Sequence, residues 1–140
     1  MYLDTSGLMK LFVEEAHTEE TRNWARAADA IALSRVTLPE ASSAIGRRHR
    51  TGSLGLPSAQ RLVREIAVFW HAATVVELDE VRAADLAFKH GLRGFDAIQL
   101  AGALSTREHA GGETFAFASF VLALNRAARS EGLTVLEPLD

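Results

Sequence analysis

The chain has 140 residues, of which 48% are hydrophobic and 24% are charged, as in an ordinary globular domain and unlike a disordered protein. It contains no cysteine, which excludes disulfides, thiolate metal ligands and cysteine nucleophiles and fits a reducing cytoplasm. The net charge of −3 argues against nonspecific wrapping of nucleic acid, so any contact with a nucleic acid must be local.

No apolar run approaches the roughly 20 residues that span a bilayer, and no basic region precedes an apolar one at the N-terminus. We therefore expect a cytoplasmic protein that makes no contact with a membrane. A chain of this length buries about 70% of its unfolded surface. Because no linker, repeat or low-complexity stretch interrupts it, residues 1–140 are predicted to form a single domain.

Short apolar runs alternate with longer amphipathic stretches along the whole chain. The predicted strands cover residues 1–3, 30–34, 74–78, 115–118 and 134–136, with the glycine pair Gly111-Gly112 before the fourth. The predicted helices cover residues 5–15, 18–28, 37–50, 57 to at least 69, 79–90, 96–105 and 120–130. Unalternated strands separated by helices predict an α/β domain with a parallel sheet that is covered on both faces.

Three acidic residues stand out because each follows a predicted strand or opens a predicted helix. Asp4 ends the first strand, Glu40 lies in the first turn of its helix, and Asp96 opens a strongly apolar helix. The carboxyl ends of parallel strands meet at one edge of a sheet, where ligands bind. Carboxylates gathered there repel one another unless they share a cation, and oxygen ligands suit Mg²⁺ or Mn²⁺. The alternative is that Asp4 caps its helix and the other two offset helix dipoles, at ~0.3–1 kcal/mol each.

Such a site would bind a phosphodiester through its metal, polarise it and activate a water molecule. The absence of histidine and cysteine from these stretches argues against a zinc hydrolase. The densest basic run is Arg47-Arg48-His49-Arg50, at the end of a predicted helix. With Lys10 and Arg93, it would form a rim that contacts phosphates without reading sequence, unless it is simply a solvated helix end.

Three stretches together match a known pattern. They are Tyr-Leu-Asp4-Thr-Ser-Gly-Leu, Leu-Pro-Glu40-Ala-Ser-Ser-Ala and Leu92-Arg-Gly-Phe-Asp96-Ala-Ile-Gln-Leu-Ala101. On these residues the chain resembles the PIN domain and, within it, the VapC toxin ribonucleases of bacterial toxin–antitoxin pairs. The resemblance covers the whole chain. It implies a three-layer α/β/α sandwich around a mostly parallel five-stranded sheet.

The resemblance also implies a function, a cofactor and partners. Members of this family are Mg²⁺- or Mn²⁺-dependent endoribonucleases that cleave structured RNA such as transfer or ribosomal RNA. By matching position, Asp4, Glu40 and Asp96 would be the catalytic metal ligands, and Thr5 or Ser6 would be a polar contact nearby. The implied partners are a VapB-type antitoxin, whose C-terminal segment lies across the acidic groove, and a second copy in a homodimer.

One position departs from the family pattern. The family usually has a fourth acid two residues after a serine or threonine, and here the stretch is Ser119-Phe120-Val121. A valine cannot ligate a metal, and it is either a natural variant or a replacement that silences the protein. Ser119 and Asn125 are candidate neutral substitutes. Because charge dominates the affinity for hard cations, we expect a normal fold with reduced or absent activity.

Other proteins with an aspartate at the end of the first strand fit less well. A haloacid-dehalogenase-like phosphatase needs a second aspartate two positions after its nucleophile, where Ser6 stands. A receiver domain needs an acidic pair and a late lysine, and no lysine follows Lys89. The remaining alternative is a catalytically silent PIN module that binds its antitoxin or RNA, and Val121 is the residue that favours it.

Overall fold

The computed structural model describes residues 1–111 and 114–139; Gly112 of the predicted glycine pair and the C-terminal Asp140 lie outside the described residues. Five short strands form one sheet: β1 Tyr2–Leu3, β2 Ala32–Ser34, β3 Thr74–Val76, β4 Phe117–Ala118 and β5 Val135–Leu136. Their order across the sheet is β3-β2-β1-β4-β5, and every adjacent pair is parallel. The predicted five-stranded sheet is therefore confirmed, and it is parallel throughout.

Seven helices connect these strands within the described residues. They are α1 Thr5–Phe12, α2 Thr18–Ala27, α3 Thr37–Arg50, α4 Leu56–Ala72, α5 Glu80–His90, α6 Gly94–His109 and α7 Leu122–Ser130. The predicted helix at residues 5–15 ends earlier because Val13 already has an extended backbone. Helix α6 begins two residues before Asp96 and continues beyond the predicted end at residue 105, so Asp96 lies inside its first turn.

The two residues of β1 belong to two different cores. Side chains alternate across a strand, so Tyr2 faces one side of the sheet and Leu3 the other. The Tyr2 core is filled by α5, α6 and α7, and the Leu3 core by α1, α3 and α4. The chain is thus the expected three-layer α/β/α sandwich. Among residues 1–111 and 114–139, no helix combines the length and the hydropathy needed to cross a bilayer.

Helix α6 packs closely on the outer end of the Tyr2 side chain. A Cβ atom at Gly102 would stand 2.6 Å from the Tyr2 hydroxyl oxygen, and Tyr2 is fully buried. Only glycine leaves room for this approach. The same helix carries Asp96 in its first turn, so the packing of Gly102 on Tyr2 is one of the contacts that place this turn relative to β1.

Candidate functional site

Asp4 is anchored at the junction of β1 and α1. Its Oδ1 accepts hydrogen bonds from the Gly7 backbone N–H at 2.9 Å and the Ser6 hydroxyl at 2.7 Å. Its Oδ2 accepts one from the Ser119 hydroxyl at 2.8 Å, across the sheet edge from the end of β4. Asp4 therefore caps α1, as the simpler alternative predicts, and also ties α1 to the segment after β4.

The ionised form of Asp4 is disfavoured because the side chain is buried. Only 3% of Asp4 is exposed, and this burial raises the pKa of its carboxyl to about 6. The negative charge of Glu40 adds to the rise, while the hydrogen bonds from Gly7, Ser6 and Ser119 oppose it. A cation placed beside Asp4 would relieve this repulsion.

Glu40 lies in the first turn of α3 and is held by α1 and α6. Its Oε1 accepts hydrogen bonds from the Thr5 hydroxyl at 2.7 Å and from the Gln99 side-chain amide at 2.9 Å. Its Oε2 accepts none from the described residues. Two neighbouring elements therefore fix the direction of the carboxylate and leave one oxygen available to a ligand.

Gln99 is the functional residue that sequence reasoning missed. It is 2% exposed, and its oxygen accepts a hydrogen bond from the Tyr2 hydroxyl at 2.9 Å. Its nitrogen lies within 3.1 Å of the Thr5 and Thr37 hydroxyls, besides its bond to Glu40. A single glutamine among the apolar residues of α6, one turn after Asp96, is the signal that could have revealed it.

Asp96 faces an open cleft of about 790 Å³. The same cleft is lined by Glu40, Arg93, Phe95 and Val121. Burial raises the pKa of the Asp96 carboxyl, and the positive charge of Arg93 opposes that rise. The structure therefore brings two of the three predicted acids, and the position of the missing fourth one, onto a single surface.

The expected tight cluster of carboxylates is not formed. Among residues 1–111 and 114–139, no three side chains of histidine, cysteine, aspartate or glutamate are grouped closely enough to hold a metal ion. The physical reason is that Asp4 turns toward Ser6, Gly7 and Ser119, while Glu40 turns toward Thr5 and Gln99. The oxygen-only donors and the raised pKa of Asp4 nevertheless fit a hard divalent cation.

The hydroxyl residues that the sequence places near the site form hydrogen bonds to the acids. Thr5 donates to Glu40, and the Ser6 hydroxyl donates to Asp4 while accepting the Phe120 N–H at 2.8 Å. Ser119 is 2% exposed and donates to Asp4. Ser119 is therefore engaged with Asp4, and its role as a neutral substitute for the missing acid stays a prediction. These three residues position the carboxylates.

Lys10 does not reach the cleft, contrary to the sequence prediction. Its ammonium group donates to the Ala16 carbonyl at 2.7 Å and to Glu15 at 3.1 Å, and it lies 4.4 Å from the centre of the Phe120 ring. Only 8% of Lys10 is exposed. The protein itself therefore satisfies this cation, and it is not available to a phosphate.

The other predicted cations divide into two groups. Arg93 is exposed and lines the acidic cleft. Arg47 is exposed and lines an adjoining groove that also includes Glu40 and Phe95. Arg48, in contrast, donates to Glu15 at 2.9 Å and ties α3 to the segment after α1. Part of the basic run is therefore structural.

Val121 precedes α7 and has two environments. It packs against the core of α5, α6 and α7, and it also lines the acidic cleft. Nearby, the Asn125 amide donates to the Ser119 carbonyl at 2.9 Å, while its buried Oδ1 lacks a partner within the described residues. No residue of this segment brings a negative charge to the cleft.

Comparison with known proteins identifies the family. The family model for the PIN domain matches residues 1–111, which include Asp4, Glu40 and Asp96 and end before β4. Ribonuclease VapC45 of Mycobacterium tuberculosis (strain CDC 1551 / Oshkosh) is 33% identical over 108 residues, covering 75% of each chain. Ribonuclease VapC49 of Mycobacterium tuberculosis (strain ATCC 25618 / H37Rv) matches with the same identity and coverage.

Solved structures show the same fold at low sequence identity. PAE2754 from Pyrobaculum aerophilum has a TM-score of 0.70 and 18% identity, covering 96% of this chain and 81% of that one. FitAcB from Neisseria gonorrhoeae has a TM-score of 0.64 and 18% identity, covering 97% and 96%. A toxin–antitoxin complex from Klebsiella pneumoniae has a TM-score of 0.59 and 20% identity, covering 84% and 83%. The chain belongs to the PIN-domain family, and its relatives include VapC ribonucleases.

Proposed function

We propose that the chain is a VapC-type endoribonuclease toxin that hydrolyses RNA phosphodiester bonds with a divalent metal ion, Mg²⁺ or Mn²⁺, in the acidic cleft. The observation that carries this proposal is the shared cleft of Glu40 and Asp96, with the buried Asp4 tied to Ser119 beside it. The names of the two Mycobacterium tuberculosis relatives support the reaction.

Asp4, Glu40 and Asp96 would hold the metal after their side chains reorient toward it, because they are not grouped closely enough as they stand in the described residues. The bound metal would polarise the phosphodiester and lower the pKa of a bound water. Neighbouring residues of the protein would position these carboxylates. Thr5 and Gln99 keep Glu40 in place, and Ser6 and Ser119 do the same for Asp4.

We expect this chain to cleave RNA more slowly than a family member with an acid at this position, because Val121 stands there instead. A methyl-bearing side chain on the cleft wall offers neither charge nor an oxygen ligand to a cation. The second candidate function, a silent PIN module that binds antitoxin or RNA, rests on the same residue and on the loose grouping of the acids within the described residues.

The proposed partners are transfer or ribosomal RNA, a VapB-type antitoxin and a second copy of the chain, in the cytoplasm. The antitoxin is supported by the toxin–antitoxin complex among the structural neighbours. A basic side chain of the antitoxin would find Asp96 and Glu40 in an open cleft.

The test is RNA cleavage in Mn²⁺ by the chain itself and by Val121→Asp, with bacterial transfer and ribosomal RNA as substrates. We expect Val121→Asp to cleave about 100-fold faster, an effect typical of one electrostatic group in an active site. Adding Asp4→Asn to that variant should abolish cleavage.

Val121→Asn is the matched control, since it adds polarity at the same place without a charge. Titration of Mn²⁺ by calorimetry supplies a second readout, in which Val121→Asp binds more tightly than Val121→Asn. If no variant cleaves RNA or binds Mn²⁺, the nuclease proposal is wrong and the silent binding module replaces it.

A further inference from the structure

Phe95 is an exposed aromatic side chain beside the acidic cleft. It lies in the first turn of α6, immediately before Asp96, and 57% of it is exposed. It belongs to neither of the two apolar cores, whereas Ala97 and Leu100 on the same helix are fully buried. The packing of the described residues therefore gives Phe95 no structural role.

Phe95 lines two depressions, and each is also lined by an exposed arginine. One is the acidic cleft with Arg93 and Asp96; the other is the groove with Arg47 and Pro39. Glu40 lines both. An exposed aromatic ring that lines one depression with Arg93 and another with Arg47, next to a site for phosphodiester chemistry, offers a stacking surface with phosphate contacts nearby.

This combination matches the chemistry of an unpaired nucleotide. Proteins bind single-stranded RNA by stacking bases on aromatic rings while cations follow the backbone. A base inside a duplex has both faces covered by its neighbours, so a side chain cannot stack on it. The net charge of −3 means that such local contacts, and not a general attraction, must hold the RNA.

We infer that Phe95 stacks on an unpaired RNA base next to the acidic cleft, with Arg93 and Arg47 on flanking phosphates. This inference rests on the proposed function, because it assumes that the ligand of the cleft is RNA.

The test is binding of a labelled single-stranded RNA, and of a duplex that contains the same strand, measured by fluorescence anisotropy in Ca²⁺ with the RNA verified as intact. The variants are Phe95→Ala, Phe95→Trp and, as a matched control, Phe88→Ala. Phe88 is 95% exposed on α5 and lines neither depression.

Phe95→Ala should weaken binding of the single strand about 5- to 160-fold, the range that corresponds to the loss of one stacked base. Phe95→Trp should retain the affinity, since a larger ring still stacks. Phe88→Ala should bind as the parent does, and duplex binding should be equal for all four proteins. Because stacking is uncharged, Phe95→Ala should leave the dependence of affinity on salt unchanged.

Three outcomes overturn the inference while the proposed function stands. They are single-strand binding by Phe95→Ala equal to that of Phe88→Ala, an equal loss on the duplex, and a change only in self-association by sedimentation, which would assign the ring to a protein contact. If the parent binds neither RNA and Val121→Asp cleaves none, the proposed function fails and the inference fails with it.

Discussion

The two carboxylates at the ends of the candidate site, Asp4 and Asp96, are built in opposite ways. Asp4 is 3% exposed and accepts three hydrogen bonds from the protein. Asp96 is half-buried, faces the cleft and accepts no hydrogen bond from the described residues. Burial raises the pKa of both, but Glu40 adds to the rise at Asp4, whereas Arg93 opposes it at Asp96.

The buried Asp4 and the half-buried Asp96 are suited to two different roles in a ligand site. The Asp4 side is preorganised, since each hydrogen bond fixes the carboxylate before any ligand arrives. The Asp96 side is open, so its carboxylate and the neighbouring Arg93 and Phe95 can adjust to what binds. Changes on the first side should therefore alter stability, and changes on the second side should alter binding.

The largest expected effect on stability comes from removing the Gln99 side-chain amide, which holds Glu40 and Tyr2 in place. Gln99→Leu leaves the buried Tyr2 hydroxyl without its acceptor and Glu40 with only the Thr5 hydroxyl as a donor. The free energy of unfolding should fall by about 2–4 kcal/mol, as for one buried hydroxyl left unpaired and one hydrogen bond to a charged group lost. Urea denaturation measures it. Adding Tyr2→Phe to Gln99→Leu should recover part of the loss, and a double variant no more stable than Gln99→Leu would contradict this account.

A smaller effect on the free energy of unfolding is expected from pH, through the ionisation of Asp4 in the metal-free protein. Its pKa rises on folding from 3.8 to about 6, so the folded protein holds this proton more tightly than the unfolded chain does. The stabilising contribution is full below about pH 4 and is lost as the pH rises through about 6. At ~1.4 kcal/mol for each pH unit, the loss is of the order of 1–3 kcal/mol.

Asp4→Asn should remove this dependence, and it should be more stable than the parent at pH 7.5 in the presence of a chelator. The measurement is urea denaturation at pH 4.5 and pH 7.5, with Asp96→Asn as the control on the open side. Mn²⁺ should stabilise the parent at pH 7.5 and have less effect on Asp4→Asn, since a ligand stabilises only what it binds. Parallel pH profiles for parent and Asp4→Asn would contradict the prediction.

The smallest effect on stability is expected from the open side. Arg93→Gln should change the free energy of unfolding by less than about 0.5 kcal/mol, because the side chain is exposed. Binding of single-stranded RNA should weaken, and the slope of log affinity against log salt should decrease by about 0.7, as for one lost phosphate contact. An unchanged slope would show that Arg93 does not touch the backbone of the RNA.

The fold and the location of the site could be predicted because they depend on local pattern. Asp4 directly follows a buried strand and Glu40 opens a helix, and a parallel sheet brings such positions to one edge. Val121 could be recognised as a departure because its neighbours match a family pattern. The order of the strands across the sheet has no comparable signal in the local sequence.

Side-chain contacts that depend on how the chain folds back on itself could not be predicted, whether the partners are near or far in sequence. Lys10 is a residue type that commonly contacts phosphate, but the loop after α1 brings the Ala16 carbonyl and the Glu15 carboxylate onto its ammonium group. Gln99 meets residues more than 50 positions away, in β1, α1 and α3. Phe95 looks like a core residue in an apolar helix, and its exposure depends on which face of α6 the sheet covers.

Gly102 has a consequence for how the acidic cleft can vary. Since a Cβ atom there would lie 2.6 Å from the Tyr2 hydroxyl, a larger residue requires that either the buried Tyr2 ring or α6 moves. A shift of the ring would disturb its hydrogen bond to Gln99, and a shift of α6 would carry Asp96 away from Asp4. A substitution at Gly102, two turns from Asp96, should therefore alter the acidic site through the packing of one tyrosine.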